Sequence, residues 1–100
     1  MGRDWLREAR EFPERNPDAW AHICAYMGRE VEAGRKCSMR GAVEDARLKD
    51  YTASDGTPTR INHNIEAGLA RLYLRAHPEA GPFVELRRSP VFDGPGGAWR

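Results

Sequence analysis

The chain has 100 residues, a formal net charge of +1, 31% charged and 40% hydrophobic residues, which fits one soluble globular domain with a small core. No apolar run nears the roughly 18 residues of a membrane span, and MGRDWLREAR lacks the apolar stretch of a secretory signal. A balance this close to neutral excludes a molecule that is basic overall, although the charge is uneven: residues 1–34 carry −2, residues 35–63 carry +2 and residues 64–100 carry +1.

In chain order, the first 15 residues mix Trp5, Leu6 and Phe12 with many charges and Pro13. They suggest a short helix touching the core, with Trp5 as a lid. A firmer helix starts at Asn16, where Asn suits an N-cap, Pro17 the first helical position and Asp18 the positive end of the dipole. Trp20, Ile23, Cys24, Met27 and Val31 form one apolar stripe at helical spacing. Gly34 supplies the stop, and Gly28 reads as a point of close helix approach. Cys24 and Cys37 contain no CxxC spacing and are expected as reduced thiols.

Ser38 caps the next helix. Met39, Ala42, Val43 and Ala46 make its apolar side, while Arg40, Glu44 and Arg47 share another face. Residues 49–62 lose helical period. Asp55-Gly56 is a turn signal, so Tyr51 and Thr52 are expected to pair with Thr59 and Ile61 in a hairpin kept short by Pro58. A third helix begins in Asn62-His63-Asn64 and runs to Ala76, with Ile65, Leu69, Leu72, Tyr73 and Ala76 inward. Pro78 ends it and is expected to open a further short helix carrying Phe83, Val84 and Leu86. The Gly/Pro-rich stretch 90–100 is expected to be a flexible tail.

This pattern is mostly α with a small β-hairpin: a winged helix-turn-helix-like single domain over residues 1–89. Arg and Glu read guanine and cytosine edges, and exposed cations hold phosphates. Arg40, Glu44, Arg47, Lys49, Arg60 and His63 are therefore the candidate nucleic-acid contacts. The competing reading of the same residues is a solvated face with Arg–Glu pairs, or Arg47 anchoring the hairpin. No nucleophile–base pair stands out, and Asn62-His63-Asn64 lacks the second histidine of an HNH nuclease. His22, Cys24, Cys37 and His77 match no zinc module. The expectation is a protein that is not an enzyme and takes no cofactor or metal.

Asn16-Pro17, the Gly34–Ser38 turn, Glu44 with Arg47, the Asn62–Asn64 helix start, Ala70-Arg71-Leu72 and Pro78 together resemble a group of small phage and prophage proteins of high-GC bacteria, over about residues 12–89. The resemblance implies a phage setting in a bacterial cytoplasm and carries over no catalytic residue. Two functions are expected from the whole: a DNA-binding protein, such as a transcriptional regulator, or an inhibitor of a host protein complex of the CRISPR or other defence type. Oligomeric state is not legible.

Overall fold

The computed structural model describes residues 4–93. Helix α1, Trp5–Arg15, is capped by Asp4, whose carboxylate accepts from the Arg7 N–H at 3.1 Å. Pro13 lies inside its last turn, where it removes one backbone donor. Phe12 is buried, and Trp5 and Leu6 are partly buried against the core.

Helix α2, Pro17–Glu32, starts at the expected proline. Asn16 is its N-cap by position, but its side chain makes no cap hydrogen bond. The carboxamide is buried instead, and its Oδ1 accepts from Thr59 Oγ1 at 2.8 Å. Asn16 thus ties the hairpin to the corner between α1 and α2. Gly34 adopts φ +72° just past the end of α2, and the Arg35 N–H returns to the Glu30 carbonyl at 2.9 Å. That six-residue closure requires a left-handed residue at its turn, which glycine supplies without strain. Gly28 does not mark a close approach, since a Cβ there would meet nothing within 4 Å. Ile23 and Met27 are fully buried, while Trp20, Cys24 and Val31 are only partly so. The inner stripe is therefore narrower than the sequence suggests.

Strand β1, Cys37–Ser38, leads directly into α3, Met39–Arg47. Ser38 Oγ accepts the Gly41 N–H at 3.1 Å, the expected cap. Met39, Ala42, Val43 and Ala46 are all buried. Residues 51–59 form a hairpin one bridge tall, Thr52 opposite Pro58. Asp55 Oδ1 accepts from the Thr57 N–H and hydroxyl at 3.0 and 2.6 Å, and Gly56 takes φ +85°. The hairpin does not stand free: the Ser54 N–H donates to the Arg15 carbonyl at 2.8 Å, pinning its tip to the end of α1.

A 3₁₀ turn, His63–Ile65, opens α4, Glu66–Ala76. The buried residues of α4 are Gly68, Leu69, Ala70, Arg71 and Tyr73, whereas Leu72 is half-buried and Ala76 exposed. The stripe was expected through Leu72 and Ala76; it is instead rotated to include Gly68 and Arg71, because both face the C-terminal segment. The helix expected after Pro78 is only a 3₁₀ turn, Pro78–Ala80, and Val84 lies in strand β2, Val84–Glu85. β2 pairs in parallel with β1, Cys37 opposite Val84 and Ser38 opposite Glu85. The regular β structure is thus this pair, and the hairpin adds one bridge.

The expected boundary at residue 89 also moves. Phe92 is buried against Gly68, and Asp93 pairs with Arg71, so residues 90–93 are docked on α4. The Arg71 guanidinium donates to both Asp93 carboxylate oxygens, at 2.8 and 2.6 Å, and to the Ala67 and Arg87 carbonyls at 2.8 and 2.9 Å. The remainder of the expected tail, 94–100, lies outside the described residues. The buried side chains form one hydrophobic cluster drawn from every helix and both strands, and no helix among the described residues is long and apolar enough to cross a membrane.

Candidate nucleic-acid interface

Burying Ala42, Val43 and Ala46 turns the opposite face of α3 outward and exposes Arg40, Glu44 and Arg47. The first turn of α4 packs beside that face. A cleft of about 350 Å³ between them is lined by Arg40, Glu44, Arg47, His63 and Glu66. A second depression, about 250 Å³, adjoins it through Arg40, His63 and Glu66 and continues over Met39, Ala67 and Leu86 toward β2. Four of the six candidate residues, Arg40, Glu44, Arg47 and His63, are brought to one place.

Lys49 lies on the neighbouring side of Arg47, where both line a hollow of about 390 Å³ with Tyr51 and Ile61. Arg60 is not brought to the cleft. It lines depressions on the α1 side with Arg15 and Asn16, because the hairpin is bonded back to the α1–α2 corner.

Within the cleft the charges are partly spent on each other. Arg47 Nη1 pairs with Glu44 Oε1 at 3.0 Å, and its Nη2 donates to the Ile61 carbonyl. Arg47 is therefore both an Arg–Glu partner and the anchor of the chain leaving the hairpin. Arg40 is exposed and forms no hydrogen bond or ion pair among the described residues. Burial pushes the Glu66 carboxyl above the ordinary carboxylate range, while Arg47 and Arg40 pull it back. Two arginines thus face two glutamates, and the cleft is close to neutral when His63 is neutral.

Behind α3 lies a network the sequence did not announce. His22 on α2 bonds Asp45 Oδ2 through Nε2 at 2.7 Å and Tyr51 Oη through Nδ1 at 2.8 Å. It joins α2, the end of α3 and the hairpin, and so fixes the element that carries Arg47. Spacing offered no signal, since the partners are 23 and 29 residues away. Arg71–Asp93 was equally silent: an arginine inside an apolar helical stripe reads as a solvated residue until its partner is seen.

The residues weighed for zinc serve other roles. His22 is engaged as above, His77 stacks on Tyr73 with ring centroids 4.5 Å apart, and burial pushes both the Cys24 and Cys37 thiols upward. Among the described residues no group of three or more His, Cys, Asp or Glu is placed to hold a metal ion. No protein-family model, curated protein or solved structure matches the chain.

Proposed function

We propose that this protein is a non-enzymatic DNA-binding protein of winged-helix type, acting as a regulator in a phage setting. The observation that carries the reading is the order of elements around the strand pair. Helix α2, strand β1, helix α3, helix α4 and strand β2 follow one another, with β2 closing on β1. In such an arrangement two successive helices present a polar face and a helix start side by side, the layout by which a helix-turn-helix approaches the major groove. Arg40, Arg47 and His63 meet on that surface, with Lys49 and Arg60 to either side to engage phosphates. The hairpin 51–59 then replaces the short turn between the two helices.

The test is titration of the purified protein into mixed-sequence and phage duplex DNA at low and physiological salt. Binding should weaken linearly in log–log terms as counterions are released. Undetectable binding even at low salt rejects the reading.

One observation favours a second reading. Leu48, at the end of α3, is 81% exposed, and the cleft beside it is nearly self-neutralised. An apolar anchor within mixed charge suits a protein surface, such as a host defence complex targeted by a phage inhibitor. Recovery of a stoichiometric host complex that survives nuclease treatment, lost in Leu48→Asp, supports this alternative.

A further inference from the structure

The helix start Asn62-His63-Asn64 contains two asparagines, and the fold uses the side chain of only one. Asn62 Oδ1 accepts the Asn64 N–H at 2.9 Å and so performs the capping that asparagine commonly provides at a helix start. His63 lines the cleft against α3, while Arg60 and Asn62 line the depression against α1. Asn64 stands between these two depressions. It is exposed, and its carboxamide makes no hydrogen bond among the described residues.

Capping therefore leaves Asn64 unexplained. A carboxamide carries a donor and an acceptor side by side, the pair that matches N6 and N7 of adenine in the major groove. In a helix-turn-helix, base edges are met by the first residues of the second helix, and Asn64 occupies that position before α4. Arg40 and Arg60 flank it on opposite sides, spaced to hold phosphates rather than bases.

We propose that Asn64 reads adenine in the major groove and sets the sequence preference of this surface. The inference rests on the DNA-binding reading above and adds the residue that discriminates bases. The experiment is selection of bound duplexes from a randomised pool by the wild type and by Asn64→Ala, with thermal melts confirming that both fold. The wild type should enrich adenine at one fixed position. Asn64→Ala should lose enrichment at that position alone and bind the selected site roughly 5- to 150-fold more weakly, with affinity for random duplex unchanged. Placing 7-deazaadenine at that position should weaken the wild type and leave Asn64→Ala unaffected, a response that a merely structural role would not give. Enrichment of the same site by both proteins overturns the proposal, as does indifference of the wild type to the deaza base. Capture of duplex without base preference overturns it while leaving DNA binding standing. Failure to capture any duplex at low salt removes the DNA-binding reading and this inference together.

Discussion

At the scale of single residues, the C-terminal contact turns on Arg71 and Gly68. Arg71 has 5% of its side chain exposed, whereas Asp93 has 26%, so the two ends of the pair are not equivalent. Removing Asp93 leaves a buried guanidinium with two carbonyl partners and no counter-charge. Asp93→Ala should therefore destabilise by roughly 3 kcal/mol, the lower end for a broken buried pair. Arg71→Met should cost less, because the stranded carboxylate reaches water. Denaturant midpoints of the two variants give the comparison, and equal losses would mean that the charge is not what matters. Gly68 faces the same segment. A Cβ there would lie 2.5 Å from Phe92 Cε1 and 2.8 Å from the Ala9 Cβ, so Gly68→Ala should destabilise by about 1–3 kcal/mol through overpacking. Adding Phe92→Leu should recover part of that loss, a coupling that a double-mutant cycle detects. Neither role was legible in the sequence. A glycine at a helical position and an arginine in an apolar stripe look like defects until the segment they receive is in place. Ser38 and Gly34 were legible because caps are local: the side chain and its backbone partner lie within one turn.

Among the elements, those with a long helical period, α2 to α4, stand near where the sequence puts them, since each buries a stripe that periodicity alone reveals. The failures are elements defined by distant partners. Strands β1 and β2 are two residues each and 46 residues apart, too short to leave a period-2 signature. Val84 therefore read as part of a helix begun by Pro78. The hairpin was legible as a turn through Asp55-Gly56, but its direction was not, because Ser54 and Thr59 bond to the α1–α2 corner through contacts 39 to 43 residues long. The C-terminal segment gives the test at this scale. A chain ending at Ser89 loses both Phe92 and Asp93, and its melting temperature should fall sharply, whereas a chain ending at Asp93 retains both groups. Equal melting temperatures for the two truncations would mean that residues 90–93 contribute nothing to the fold.

For the whole molecule, the question is how a net charge of +1 serves a DNA surface. The cleft between α3 and α4 sets Arg40 and Arg47 against Glu44 and Glu66, so the carboxylates hold affinity down while the arginines stay ordered. Candidate residues were legible as a face of one helix, yet their mutual neutralisation was not, because Glu66 belongs to another helix. Glu66 also makes the surface sensitive to pH. Burial raises its folded pKa, so the folded state holds this proton more tightly than the unfolded chain does. The stability it contributes is fully present below the ordinary glutamate range, near pH 4–5, and is lost as pH rises through the raised folded value. Glu66→Gln should accordingly flatten the decline of stability above that range, as read from denaturant midpoints across pH. The same substitution separates the two functions. If the cleft faces phosphates, Glu44→Gln and Glu66→Gln each remove a repulsion of roughly 0.5–1 kcal/mol, and DNA affinity should rise about twofold to fivefold per substitution. Acidification through the Glu66 titration should strengthen wild-type binding and leave Glu66→Gln less responsive. If the cleft faces a protein whose cations pair with these glutamates, both substitutions should weaken capture of that partner. Parallel titration of the three proteins against one duplex at fixed salt decides the matter: unchanged or lower DNA affinity in both variants would remove phosphate contact as the purpose of this cleft.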